Sequence, residues 1–156
     1  FVLQGHYRAK LNFSWEALTG SQNALNNLYS ALSAYSKPKI GCAEYEQRFL
    51  EAVNDDLDTP KALAIVWELI KSDYPGEAKL KSLLEFDKVL GLSLHETWNE
   101  LRKPLPNEVK KLVEERESAR SLKDFEKSDA LRIQIESLGF EVKDTDNGPI
   151  VTRKLN

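Results

Sequence analysis

Apolar residues recur at helical spacing through most of this chain, and that spacing limits the fold more than any other feature. Leu18, Leu25 and Leu32 recur every seven residues, which places them on one face of a helix. Ser14 precedes this run and can cap the helix, which we expect to reach about Tyr35. The pattern therefore predicts a long amphipathic helix near the N-terminus.

Breaks in the pattern separate three further helices. The second is predicted over about residues 43–54. The third follows Asp58 or Thr59 as its cap and carries Pro60 at its first position, where a missing N–H costs nothing. Pro75-Gly76 ends this helix, and a fourth helix follows. Amphipathic helices joined by short loops predict an antiparallel helical bundle.

A proline-rich linker at residues 103–106 is the best candidate for a domain boundary. The two prolines of Lys103-Pro104-Leu105-Pro106 disfavour helix and stiffen the chain. The segment before the linker, residues 93–101, gives only a weak helical signal. We therefore predict a helical bundle over residues 1–102 and a second, small domain over residues 107–156.

The predicted second domain combines two helices with a hairpin. Asn107 and Asp124 can cap the two helices. The second helix should bury four apolar side chains: Phe125, Leu131, Ile135 and Leu138. From Phe140 onward apolar and charged residues alternate, and Asp146-Asn147-Gly148 is a turn sequence, so a β-hairpin is predicted. The predicted fold class is mainly α, an antiparallel helical bundle followed by a small α+β domain.

Composition excludes several classes of function. The formal net charge is −3, from 22 Lys+Arg against 25 Asp+Glu, which argues against a non-specific polyanion binder. No apolar run approaches the ~20 residues of a membrane span. A single cysteine, Cys42, is typical of a reducing compartment, so a cytoplasmic location is expected. The chain has no methionine and starts with Phe1, so we expect a fragment or a processed product.

Few residues in the sequence are candidates for catalysis. His6, His95 and Cys42 lie far apart and lack the spacing of zinc ligands. No glycine-rich phosphate loop precedes a helix. The acidic run at residues 55–58 suits helix capping better than a cation site. No catalytic residue, metal site or cofactor is therefore predicted in this chain.

Charged and aromatic residues of the second domain form a candidate recognition surface. Arg116 and Arg120 are one helical turn apart, and Asp129 and Arg132 share a face of the next helix. Phe125 belongs either to the core or to a surface on which an unstacked base can lie. The charged residues fit either a solvated face with intrahelical ion pairs or a surface that reads base edges. The residues alone leave both interpretations open.

Three collinear motifs decide between these interpretations. They are GHYRAKLNFSWEAL at residues 5–18, NDDLDTPKA at residues 54–62 and SDALRIQIESLGFEVKDT at residues 128–145. Each is similar to a segment of the cysteinyl-tRNA synthetases, and together they cover nearly the whole chain. Asp58 stands where that family usually has Asn, and Pro149 removes a backbone donor from the second strand of the hairpin.

The resemblance implies a role for each domain. The parent would be a class I ligase that activates cysteine with ATP and transfers it to tRNA(Cys), and this chain would be its C-terminal half. The bundle would brace the tRNA, and the second domain would bind the anticodon, GCA. The catalytic domain, with its HIGH and KMSKS signatures, would be a partner outside this chain. ATP, Mg²⁺ and zinc would belong to the parent, and DNA and membranes are not expected partners.

The resemblance also assigns the anticodon-binding residues. By position in the motifs, the residues implied to contact the anticodon are Arg120, Phe125, Asp129, Arg132 and Asp144. Two alternatives stay open: a helical protein-interaction or scaffolding module without RNA binding, and a related cysteine ligase that acts on an amino sugar. The second generally lacks the terminal domain, so residues 107–154 count against it.

Overall fold

A computed structural model describes residues 1–145 and 148–154 of the chain. Within them the fold is mainly α, as predicted, with a short 3-10 turn at Val2–Gln4 and a C-terminal hairpin. The elements are α1 (Trp15–Ser33), α2 (Ala43–Asn54), α3 (Thr59–Lys71), α4 (Gly76–Leu90), α5 (Leu94–Leu101), α6 (Asn107–Ser121), α7 (Phe125–Ser137), β1 (Phe140–Thr145) and β2 (Gly148–Arg153). The chain divides into two compact units, Phe1–Glu100 and Leu101–Asn156.

Side-chain caps fix the starts of three helices at residues that the sequence singled out. The Ser14 hydroxyl accepts a hydrogen bond from the Ala17 amide at 3.1 Å at the start of α1. Asp58 Oδ1 accepts from the Lys61 amide at 3.0 Å, and Asp124 caps α7 in the same way. Each cap satisfies a backbone N–H that has no partner within its helix. Local sequence therefore determines where these helices begin.

Several boundaries differ from the predictions. Asn107 does not cap α6, because it is the first helical residue and Pro106 occupies the cap position without a side-chain hydrogen bond. Pro60 is the second residue of α3, since the helix begins at Thr59. The weak signal before the linker does form a helix, α5, in which Leu94 is fully buried and Trp98 is nearly so.

The core of the first unit is apolar and contains a stacked aromatic pair. The rings of Phe49 on α2 and Phe86 on α4 lie 4.1 Å apart between centroids, with their planes at 7°. Leu32 of α1 and Leu69 of α3 are fully buried. Cys42 is also buried, and its burial raises the pKa of the thiol, as expected for an inert cysteine.

The second unit has a small core between α6, α7 and the hairpin. Val109, Ile135, Phe140 and Val142 form this core. The strands pair antiparallel, with Phe140 opposite Arg153 and Asp144 opposite Pro149. Of the predicted turn residues, Asp146 and Asn147 lie outside the described residues, and Gly148 has φ +104°. Leu138 is 40% exposed, so the prediction that it is buried is wrong.

Candidate nucleic-acid interface

A tight corner between α6 and α7 brings charged and aromatic side chains together. Lys123 adopts a left-handed conformation, with φ 60°, and its amide donates to the Arg120 carbonyl at 2.9 Å. The Asp124 amide donates to the Ala119 carbonyl at 2.9 Å. These backbone bonds place Arg120 on the last turn of α6 and Phe125 at the first position of α7.

One face of α7 carries three of the five predicted site residues. Phe125, Asp129 and Arg132 are spaced four and three positions apart, and all three are exposed. Phe125 is 64% exposed, so the interpretation that placed it in the core is wrong. Its ring is open to solvent at the start of the helix, as a stacking platform requires.

Asp144 on β1 is bonded to two arginines of α6. Its Oδ1 accepts from Arg116 Nη1 at 2.8 Å, and its Oδ2 accepts from Arg116 Nη2 at 3.0 Å and from Arg120 Nη1 at 2.8 Å. The hydrogen bonds from Arg116 hold the pKa of the Asp144 carboxyl below its ordinary value. The charges of Arg116, Arg120 and Arg132 act in the same direction. The structure thus brings Asp144 and Arg120 into direct contact.

Arg116 is a member of this cluster that the predicted site residues did not include. Its side chain is only 2% exposed, and its hydrogen bonds to Asp144 raise the pKa of the guanidinium. The charge of Asp129 contributes to the same shift, which links α7 to the cluster. The one-turn spacing from Arg120 was visible in the sequence, but its burial depends on how α6 and β1 pack.

The outer charges of the cluster are balanced by neighbours. Arg132 Nε lies 3.3 Å from Glu136 Oε1 one turn further along α7. Glu117 on α6 lies 3.4 Å from Arg116 and 3.9 Å from Arg120. Acidic and basic groups are therefore interleaved, so the surface offers hydrogen-bond donors and acceptors side by side and has no strong positive field.

The first two sequence motifs meet in the first unit. The Tyr7 hydroxyl donates to Asp56 Oδ1 at 2.7 Å, and Arg8 Nη1 lies 3.1 Å from Asp56 Oδ2. Asp56 and Leu57 both have positive φ, near 53° and 54°. The acidic run therefore serves to cap α3 and to hold the N-terminal segment. Among residues 1–145 and 148–154, no group of three or more His, Cys, Asp or Glu side chains could hold a metal ion.

Comparison with known proteins identifies a matching family and several similar proteins. The DALR domain family matches residues 48–72, from the second half of α2 through α3. A cysteine–tRNA ligase 1 of Burkholderia lata is 40% identical over 146 residues, covering 94% of this chain and 31% of the relative. The chain resembles part of a cysteine–tRNA ligase.

Other cysteine–tRNA ligases extend the match to nearly the whole chain. The one from Chlorobaculum tepidum is 36% identical over 177 residues, covering 99% of this chain and 36% of the relative. The one from Methanosarcina mazei is also 36% identical, covering 97% of this chain and 36% of the relative. These matches confirm the resemblance inferred from the three motifs. The chain spans about a third of the length of these ligases. No helix in the described part of the chain is long and apolar enough to span a bilayer.

Proposed function

We propose that this chain is the tRNA-binding and anticodon-recognising portion of a cysteine–tRNA ligase. In this proposal residues 107–156 read the GCA anticodon of tRNA(Cys), and the helical bundle of residues 1–102 braces the tRNA. The observation that carries it is the exposed face of α7, where Phe125 lies beside Asp129 and Arg132 in a chain similar to these ligases over 94% to 99% of its length.

The chemistry of that face suits unpaired bases. A carboxylate accepts hydrogen bonds from the amino groups of guanine and cytosine, and an arginine donates two parallel bonds to guanine. A base stacked on an aromatic ring gains ~1–3 kcal/mol, and a good bidentate contact discriminates by a similar amount. Contacts of this kind to the three anticodon bases need no basic surface, which agrees with the net charge of −3.

The parent enzyme, in the same proposal, activates cysteine with ATP and transfers it to tRNA. We assign ATP, Mg²⁺ and the zinc of that enzyme to a catalytic domain outside the described residues. Within the described residues, the acidic, histidine and cysteine side chains form no group that could hold a metal ion. The chain alone should therefore bind RNA without forming cysteinyl-tRNA. Transfer of cysteine to tRNA by the purified chain would contradict this assignment.

The test is a titration of the full chain with a labelled anticodon stem-loop, followed by fluorescence anisotropy. We expect the stem-loop with GCA to bind more tightly than stem-loops in which one anticodon base is changed. Asp129→Asn should weaken binding, because the amide cannot accept on both sides. Glu108→Gln, in the first turn of α6, removes an equal charge elsewhere in the same unit and should leave binding unchanged. Equal binding of every anticodon would refute the proposal, and no binding of any stem-loop would favour a protein-interaction module without RNA binding.

A further inference from the structure

We infer that Arg116 is a positioning residue of the proposed anticodon site, which fixes Asp144 so that Asp144 in turn holds the guanidinium of Arg120 towards the RNA. The inference rests on the proposed function and deepens it. It gives Asp144 the role of a bridge between two arginines, and it leaves base contact to Arg120 and to the face of α7.

The hydrogen bonds of Asp144 support this division of roles. Both Nη atoms of Arg116 donate to the carboxylate, one to each oxygen, at 2.8 and 3.0 Å. Nη1 of the exposed Arg120 donates to Oδ2 at 2.8 Å. An ionised carboxylate has about four lone-pair sites, so three of them are used before any RNA is present. Asp144 therefore has little acceptor capacity left for a base.

The exposure of the two arginines differs sharply. Arg116 has a side chain only 2% exposed, whereas that of Arg120 is 40% exposed. Within the described part of the chain, Nη2 of Arg120 has no hydrogen-bond acceptor, so one donor arm stays available. A guanidinium held at one arm and open at the other is oriented for a partner that approaches from solvent.

The burial of the Arg116 guanidinium is not explained by a contribution to folding stability alone. Arg116 Nε is buried and has no hydrogen-bond partner among the described residues, which costs free energy. An apolar residue of similar volume at a buried ion pair is often as stabilising or more so. A purely structural position would not need this guanidinium, whereas a two-arginine bridge through Asp144 does.

The first test needs no RNA. We would record the side-chain Nε–Hε NMR signals of the arginines in the full chain and in Arg116→Lys. Lysine keeps the charge but cannot form the paired bond to both carboxylate oxygens. We expect the Arg120 signal to move towards the position of a free arginine, while thermal unfolding stays cooperative. Arg48→Lys makes the same substitution at the Arg48–Glu68 ion pair of the first unit and should leave the Arg120 signal in place. An unchanged Arg120 signal in Arg116→Lys would overturn the inference.

The second test is a double-variant cycle with the anticodon stem-loop. Arg116→Lys and Arg120→Gln should each weaken binding about tenfold, which corresponds to the lower part of the range for a bidentate base contact. They should lose discrimination at the same anticodon base, and the double variant should bind no worse than about tenfold below the unmodified chain. Losses that multiply to about a hundredfold would overturn the inference, because the two residues would then act independently.

A third variant tests the same bridge in case Arg116→Lys does not fold. Asp144→Asn keeps the shape of the bridge and removes its charge, so it should reproduce the loss of discrimination of Arg120→Gln even if Arg116→Lys does not fold. A different affected base in Asp144→Asn would contradict the bridging role. If the unmodified chain binds all stem-loops equally, the proposed function fails, and the NMR signals still decide whether Arg116 orders Arg120.

Discussion

Truncation of Phe125 to alanine should weaken RNA binding while leaving the fold intact. The ring is 64% exposed at the first position of α7, and it is not part of the core cluster of Val109, Ile135, Phe140 and Val142. Removing it therefore creates no cavity, and we expect the free energy of unfolding to change by less than about 0.5 kcal/mol. RNA binding should respond differently, because a base can cover one face of this ring.

The size of the effect follows from the open area of the ring. A phenylalanine presents ~200 Å² in all, so an exposure of 64% leaves about 130 Å² open, and a stacked base would cover about half of it. At ~25 cal/mol/Å² the protein side alone contributes about 1.6 kcal/mol, within the ~1–3 kcal/mol measured for base–aromatic stacking. Binding of the GCA stem-loop should therefore weaken by about tenfold or somewhat more.

The assay pairs anisotropy titration with urea unfolding of the same samples. Phe13→Ala is the matched control, since Phe13 is 58% exposed and belongs to the first unit, which the proposal does not assign to anticodon contact. It should leave stem-loop affinity unchanged. Equal affinities for Phe125→Ala and the unmodified chain would refute the stacking role, and so would an equal loss in Phe13→Ala.

Three further predictions concern stability. Asp58→Ala removes the side-chain cap of α3 and should lower the free energy of unfolding by about 1 kcal/mol in urea titrations, whereas Asp58→Asn should retain most of it. Phe86→Ala removes one ring of the buried stack with Phe49 and should cost about 3–5 kcal/mol in the same assay. The pKa of Asp144 is depressed in the folded state. The carboxylate therefore contributes to the free energy of unfolding at pH values above its unfolded pKa, near 4, and this contribution is lost as the pH falls through the lower folded pKa. When melting temperatures are measured at decreasing pH through this range, they should fall less steeply for Asp144→Asn than for the unmodified chain.

Features that depend on neighbouring residues were predictable from the sequence. Ser14, Asp58 and Asp124 cap their helices because an N-cap needs only a short polar side chain three residues before its donor amide. Helical periodicity and the change to alternation at Phe140 likewise follow from local spacing, so the mainly α class with a terminal hairpin could be read from the chain. The segment Leu94–Leu101 was less clear, because its short helix depends on tertiary burial of Trp98.

The character of the candidate site was less predictable, because it depends on contacts between residues distant in the sequence. Arg116 and Asp144 are 28 positions apart, and their pairing requires both the packing of α6 and the register of β1. Periodicity placed Phe125 in the core, but a residue at the first position of a helix can lie beyond the apolar stripe. Of the five residues carried over from the family resemblance, Phe125, Asp129 and Arg132 share a face of α7 because their spacing is local. The contact of Arg120 with Asp144 joins positions 24 apart, so spacing alone could not reveal it.

The corner between α6 and α7 has a consequence for the rate of association. Its backbone hydrogen bonds and the left-handed Lys123 fix Arg120 and Phe125 relative to each other before any RNA arrives. A preordered surface loses little conformational entropy on binding, and it adds no slow folding step to the encounter. Stopped-flow mixing with the stem-loop should therefore show one concentration-dependent phase. Its rate constant should decrease as ionic strength rises, because salt screens the attraction between the RNA and the exposed arginines and lysines.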